Sequence, residues 1–266
     1  MTMSDATLRF NDSVAEQLLS VYVTPDMIEQ REAVIKLLEL QPGENVLDVG
    51  SGPGFLASAM AERVGRAGEV CGVDISQELL ALAVERYRAQ AQLKFLRADA
   101  AKLPFPDAYF DVVVITQVLE YLQDVRPALL EMQRVLRPGG RVLILDTDWD
   151  SIVWHSADSL RMKKILAAWD EHLVDPYLPR TLAWKMQEAG FTVQERKIIP
   201  LFNPTFGEAT FSNRMIDMIG AFVIGRNGIK ADEVSAWSQE LRELGKEGKY
   251  FFSLNRYVFI GVKSKL

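Results

Sequence analysis

Asn45-Val46-Leu47-Asp48-Val49-Gly50-Ser51-Gly52-Pro53-Gly54 decides how the rest of the chain reads. An apolar, β-branched run carries one acid and then breaks into glycines at alternate positions, which is the pattern of a buried strand, a tight turn and a helix start. Glycine supplies positive φ and lets a ligand approach where a Cβ would stand, and the free N–H groups of a helix start point at that ligand. The stretch therefore predicts a small ligand bound at the turn.

Working outward, the same alternation recurs. Strands are predicted at residues 69–74, 93–99, 110–116 and 141–146, with helices at 55–63, 77–88 and 125–136 between them. Ser76 has the place of an N-cap, and Arg137-Pro138-Gly139-Gly140 has the composition of a helix stop. Residues 110–116 are apolar almost throughout, as in a parallel strand covered on both faces. Before the turn, residues 14–40 have helical spacing interrupted at Thr24-Pro25-Asp26, so a second helix is expected from Pro25 to the Gln41-Pro42-Gly43 stop.

Beyond Asp146 the pattern loosens. We expect a tryptophan-bearing loop at 147–155, a helix at 156–172, a turn at 175–180 and a helix ending at Ala189-Gly190. A sixth strand follows at 191–199, then helices near 209–224 and 232–244, and a seventh strand at 250–262 with no crossover helix after it. Strands alternating with helices give an α/β fold: a doubly wound, seven-stranded, mostly parallel sheet with an antiparallel last strand. N-terminal helices and a helical lobe between strands six and seven complete it. The organisation expected is one domain over 1–266, with a helical lid (1–40), a ligand-binding core (41–146), an acceptor-side region (147–249) and the last strand (250–266).

Whole-chain properties narrow the ligand and partner classes. A length of 266 residues at 48% hydrophobic suffices for a substantial core, and the net charge of −6 with no dense Lys/Arg cluster argues against a nucleic-acid partner. A single cysteine, Cys71, rules out an intramolecular disulfide and multi-cysteine metal chemistry. The first residues lack the basic start and apolar core of a signal peptide, and no apolar run is long enough to span a bilayer, so the expected location is cytoplasmic.

The acids identify the ligand. Ligands in such sheets sit at the carboxyl ends of the strands, which brings Asp48, Asp74, Asp99 and Thr116-Gln117 to one cleft. Asp48 would repel a pyrophosphate but suits a ligand with an ammonium and a sulfonium group. Asp74, twenty residues beyond Gly54, has the place of an acid that accepts both hydroxyls of a ribose. Asp99, with Ala98 and Ala100 leaving room for a ring, can accept from an adenine amino group. A nicotinamide dinucleotide fits less well, because Phe55 stands where that fingerprint wants its third glycine.

Val46–Gly54, Val73-Asp74, Ala98-Asp99-Ala100, Leu103-Pro104-Phe105-Pro106-Asp107 with Phe110-Asp111, and Val135-Leu136-Arg137-Pro138-Gly139-Gly140 together resemble the successive motifs of class I S-adenosylmethionine-dependent methyltransferases. The likeness is to the branch with the ubiquinone/menaquinone-biosynthesis C-methyltransferases and small-molecule methyltransferases. The resemblance implies that Gly50, Gly52 and Gly54 line the methionine part of the cofactor, with Ser51 of the same turn as a further cofactor-site residue. It implies too that Asp74 holds the ribose, that Asp99 holds the adenine amino group and that Thr116 and Gln117 face the cofactor, with Ile75 and Ala100 beside them as further cofactor-site residues. Tyr22 and Arg31 match positions where N-terminal helices close over it, although Tyr22 also suits a packed aromatic and Arg31 a solvated helix charge.

Methyl transfer is an in-line displacement that asks for alignment and exclusion of water, with no metal or covalent residue. The acceptor expected is a small, moderately apolar or aromatic metabolite. His155, in the loop after strand five, is the candidate general base, with a surface or capping role as its alternative; His172 reads as an exposed helix-end residue. Trp149, Trp154 and Phe206 are candidate acceptor walls, and Phe211, Met215, Met218 and Phe222 form a helical stripe that suits either wall or core. Competing readings are methylation of RNA or protein, a non-catalytic S-adenosylmethionine-binding protein and, less well supported, an NAD-dependent oxidoreductase.

Overall fold

A computed structural model describes residues 19–264. The expected helical residues 14–18 lie outside that range, while residues 19–22 are helical. Helix α1 (Pro25–Leu38) starts at a proline in its first turn after Thr24, as read from the sequence, and ends at Glu39 in the left-handed region. Then come β1 (Asn45–Val49), α2 (Phe55–Val64), β2 (Glu69–Asp74), α3 (Gln77–Tyr87) and β3 (Leu93–Arg97). Ser76 does cap α3, its hydroxyl accepting from the Leu79 N–H over 3.2 Å.

The central strands follow as β4 (Phe110–Thr116), α4 (Arg126–Val135) and β5 (Leu136–Thr147). Arg137-Pro138-Gly139-Gly140 does more than stop a helix. Leu136 already pairs with Phe110, and the register shifts before Arg141 pairs with Val112, so the Pro-Gly-Gly segment is an irregularity within β5. The expected 147–155 loop contains a 3-10 turn at Trp149–Ser151 and a two-residue strand, β6 (Val153–Trp154). The remaining elements are α5 (Ser159–Trp169), α6 (Pro179–Glu188), β7 (Phe191–Asn203), α7 (Phe211–Val223), α8 (Ala231–Lys246) and β8 (Phe252–Lys263).

One sheet results, in the order β3-β2-β1-β4-β5-β8-β6 with β7 on the other flank of β8. Strands β1 to β5 pair in parallel, whereas β8 runs antiparallel to β5, β6 and β7. The expected architecture stands, with one short strand added by the tryptophan loop and β7 running four residues past Ile199. Alternation along each strand sorts the core. Leu47, Val49, Val113 and Ile115 pack with Leu129, Met132 and Leu182 on one face. Val46, Val112 and Val114 pack with Val34, Leu38, Ala57 and Met60 on the other. Asp48, in phase with Val46, thereby faces the side covered by α1 and α2. A third cluster, in the helical lobe, joins Trp149, Trp154 and Trp169 to Phe211, Met215, Trp237 and Phe252. Among the described residues no helix is long and apolar enough to cross a membrane.

Candidate active site

The turn after β1 is built on positive φ. Gly50 has φ 72°, and a Cβ there would come within 2.2 Å of Val118 Cγ2, so only glycine fits. Gly52 has φ 51°, yet a Cβ there would meet nothing within 4 Å, because that position opens on a cleft. The turn is tied to β2 by Gly50 and Ser51 N–H donors to Val73 O at 2.7 and 2.9 Å.

Asp74 completes this tie. Its Oδ2 accepts from Gly52 N–H and its Oδ1 from Ser76 N–H, each over 2.8 Å. Each oxygen keeps a further lone pair for a hydroxyl outside the loop. Burial is the largest influence on this carboxyl and pushes its pKa up, against the Ser76 and Gly52 amides.

A cleft with about 900 Å³ of empty volume lies over the strand ends, lined by Gly50, Gly52, Asp74, Ile75, Asp99, Ala100, Thr116 and Gln117. Asp99 Oδ1 accepts from the Ala101 N–H over 2.9 Å. Gly54 lies below the cleft as the N-cap of α2, and a Cβ there would strike Phe95 at 2.6 Å, so its contribution is close packing. Gln117 has φ 58°, costly for a residue with a side chain, and its Nε2 donates to Thr147 Oγ1 over 2.7 Å.

An adjoining cavity holds Asp48, Ser51, Arg31, Gln30 and Phe55. Asp48 is 1% exposed, its Oδ2 has no hydrogen-bond partner, and the buried Ser51 Oγ has none either. Burial pushes the Asp48 carboxyl up to about 8, and the nearby Asp74 charge adds to it against the Ala57 amide. Buried polar atoms left unpaired are costly, so the pair points to a ligand that brings a cation or donors. Tyr22 borders the cleft, this cavity and a third one. Its ring stacks on Phe55 with centroids 5.8 Å apart, and its carbonyl accepts from Arg31 Nη1 over 2.7 Å.

The third cavity shares Tyr22, Thr116, Gln117 and Tyr121 with the cleft. Its apolar wall comes from Trp149, Trp169, Phe211, Met215 and Met218, and its polar groups are Gln30, Glu120, His172 and Arg256. Glu120 is 1% exposed. Its Oε2 accepts from Trp149 Nε1 at 3.2 Å and its Oε1 from Gln117 Nε2 at 3.4 Å. Burial pushes Glu120 up to about 7 while the Trp149 bond and the Arg256 charge oppose it. Asp146, fully buried beside it, makes no well-formed hydrogen bond through either oxygen; burial and the Glu120 charge push it well up, against the Glu120 and Val118 amides.

Four expectations are corrected by this geometry. His155 is exposed and lines none of the three cavities, because Val153 and Trp154 join β8 as a strand. Alternation then turns Trp154 inward and Val153 and His155 outward. Trp154 itself is a lobe-core residue, edge-on to Trp237 and Phe252 with Nε1 bonded to the Tyr250 hydroxyl over 3.1 Å. Phe206 packs on Tyr250 and on Gly245, away from the three cavities. His172, far from being exposed, is 2% accessible, stacked on Trp169 at 3.8 Å, with Nδ1 bonded to the Trp169 carbonyl. Burial drives its pKa down to about 3, so the ring is neutral.

Sequence reasoning missed Glu120, Arg256 and Gln30. A signal existed for Arg256: it is in phase with Phe252, Leu254 and Val258 on the buried face of β8, and a charge on such a face needs a reason. Glu120 sits in a 3-10 turn at Leu119–Tyr121, where no periodicity marks the buried side. Gln30 is the polar member of the buried face of α1.

The residues present fit S-adenosylmethionine. The unpaired Asp48 and Ser51 would suit its amino-acid end, the open side of Gly52 leaves room where a Cβ would intrude, and Asp74 has two oxygens with lone pairs that would accept from a ribose.

Comparison with known proteins agrees. Residues 47–144 match the family model described as "Methyltransferase domain". An uncharacterized 37.1 kDa protein in a Streptomyces fradiae transposon is 30% identical over 217 residues, covering 79% of this chain and 61% of that one. The ubiquinone/menaquinone biosynthesis C-methyltransferase of Paraburkholderia phymatum is 40% identical over 42% of this chain and 48% of its own length. The chain thus spans about half to three-fifths of these relatives. Among solved structures, Haemonchus contortus phosphoethanolamine N-methyltransferase 2, with S-adenosylhomocysteine bound, aligns at a TM-score of 0.65 and 20% identity, over 99% of this chain and 60% of that one. The [4+2]-cyclase SpnF aligns at a TM-score of 0.57 and 22% identity, over 89% of this chain and 81% of that one. These likenesses show the fold. With its glycine turn and strand-end acids, the stretch at residues 47–144 matches a methyltransferase domain, and the chain is similar in sequence and fold to S-adenosylmethionine-dependent methyltransferases of class I.

Proposed function

We propose that this chain transfers the methyl group of S-adenosylmethionine to a small, apolar or aromatic metabolite held in the third cavity. The observation that carries the reading is the shared wall: Tyr22, Thr116, Gln117 and Tyr121 border both the cofactor cleft and the acceptor cavity. A substrate in that cavity is therefore presented to the cleft directly. When bound, the cofactor supplies a methyl carbon made electrophilic by a sulfonium. The chain's own task is alignment and drying. Trp149, Phe211, Met215 and Met218 exclude water from the acceptor side, and Tyr22, held by Phe55 and Arg31, roofs the junction.

Glu120 is the group placed to take a proton from an acceptor hydroxyl, since it borders the cavity and is held by Trp149 and Gln117. Relatives named for quinone biosynthesis support an apolar ring as the acceptor. Those matches cover under half of this chain, and the cavity takes Trp149, His172, Phe211 and Arg256 from outside the matched domain. The fold alone does not decide the reaction, since a neighbour on it is a cyclase. Incubation with methyl-labelled cofactor and a metabolite extract, read by mass spectrometry, tests the reading. Label in a small molecule supports it; label confined to RNA or protein, or none in any fraction, overturns it.

A further inference from the structure

Arg256 is buried without a partner equal to its charge. It projects from β8 at 4% exposure and borders the third cavity. Its hydrogen bonds to the described residues are confined to Nη1, which reaches the Gln30 side-chain oxygen and, over 3.3 Å, the Met27 sulfur. Both partners are uncharged. Nε is buried with no partner, and the guanidinium lies over the Phe211 ring, 5.2 Å from its centroid. The charged groups that face it are Glu120 and Asp146, and neither is hydrogen-bonded to it. A guanidinium offers five donors in a planar fork made for oxyanions, and burying it unpaired is strongly unfavourable.

The cavity supplies the rest of the argument. Trp149, Trp169, Phe211, Met215 and Met218 make one wall apolar, and of the polar lining groups Gln30, Thr116, Gln117, Glu120 and His172 none is a cation, so a molecule that fills the cavity lays a hydrocarbon body on that wall and an acceptor group against Arg256. We infer that Arg256 is a specificity-determining residue that anchors a singly charged oxyanion of the acceptor, which is an apolar monoanion of the carboxylate or phenolate type. This rests on the reading of the third cavity as the acceptor site. A neutral analogue of the same shape leaves the arginine's charge uncompensated and is discriminated against for that reason.

The test holds shape constant and changes charge. The full chain, saturated with S-adenosylhomocysteine, is titrated with 2-naphthoate, 2-naphthol and 2-naphthamide, following quenching of its tryptophan fluorescence. The expected result is that an anion-forming probe binds about tenfold or more tighter than the amide, the scale of a charge-assisted hydrogen bond. Tighter naphthoate identifies a carboxylate site, and naphthol that binds tighter than the amide and tightens further as the pH is raised toward its own ionisation identifies a phenolate site. Arg256→Gln abolishes the preference; Arg256→Lys, which keeps the charge and loses the fork, retains it with weaker binding. Equal affinity for the amide in the unmodified chain, binding of none of the three, or a preference that survives Arg256→Gln overturns the assignment. Melting with and without S-adenosylhomocysteine is measured on the same samples. Loss of that stabilisation in the unmodified chain counts against the methyltransferase reading, whereas stabilisation with no charge preference counts against the role of Arg256 alone.

Discussion

Asp74 Oδ2 accepts a hydrogen bond from the Gly52 N–H over 2.8 Å, so the acid at the end of β2 also fastens the glycine turn that follows β1. Its second oxygen does the same for Ser76 at the start of α3. One carboxylate thereby orders both loops of the cleft before any ligand arrives. Asp74→Ala is expected to weaken S-adenosylhomocysteine binding more than tenfold and to cost about 1–3 kcal/mol of stability, because two charge-assisted bonds are lost. Calorimetric titration and thermal melting read the two effects. Unchanged affinity would show that the ribose assignment is wrong.

The glycines separate packing from access. Gly50→Ala drives a Cβ into Val118 and is expected to destabilise the fold by several kcal/mol, roughly the sum of a core clash and the strain of φ 72°. Gly52→Ala meets no atom and costs about 1–2 kcal/mol from its positive φ alone. That substitution puts a methyl into the cleft, so it abolishes S-adenosylhomocysteine binding in a chain that still melts cooperatively. Retained binding in Gly52→Ala places the ligand elsewhere.

Burial of Asp48 makes stability depend on pH with a defined sign. Its pKa rises from 3.8 to about 8 on folding, so across that interval the folded chain holds a proton that the unfolded chain has released. The contribution is therefore fully present at low pH and is lost as pH rises toward about 8, with a slope of up to about 1.4 kcal/mol per unit. Glu120 acts in the same direction between 4.5 and about 7. Denaturant unfolding at about pH 5 and about pH 8 should show the loss, and Asp48→Asn should flatten it. Binding of the cationic cofactor end is expected to expel the proton, which calorimetry in buffers of different ionisation enthalpy detects. An equal slope in Asp48→Asn would remove Asp48 as its source.

Acceptor and cofactor roles separate along the shared wall. Trp149→Ala is expected to lower methylation of the acceptor at least tenfold while S-adenosylhomocysteine affinity stays within about twofold, since Trp149 borders only the third cavity. His155→Ala is expected to leave turnover within about twofold, because that side chain is exposed beyond β6. A large loss in His155→Ala would restore it as a functional residue.

The cofactor half was legible because its signals are local. A strand, a glycine turn and a helix start fall within ten residues at 45–54, and parallel topology alone brings the ends of β1, β2 and β4 to one cleft. Asp48, Asp74 and Gly52 could be named from spacing because each is defined by its own strand or turn.

The third cavity was not legible in that way. It joins Gln30 of α1, Glu120 after β4, Trp149 after β5, His172 after α5, Met215 of α7 and Arg256 of β8, so no window of sequence contains it. His155 and Trp149 lie six residues apart in one stretch, yet the pairing of Val153-Trp154 with β8 sends one outward and leaves the other at the cavity. By itself the sequence determined the sheet, the glycine turn and the acids at the strand ends, since periodicity and backbone conformation are set by neighbours along the chain. Only the tertiary structure decided which tryptophan, which histidine and which buried charges line the third cavity, since burial and pairing there are set by residues far apart in sequence.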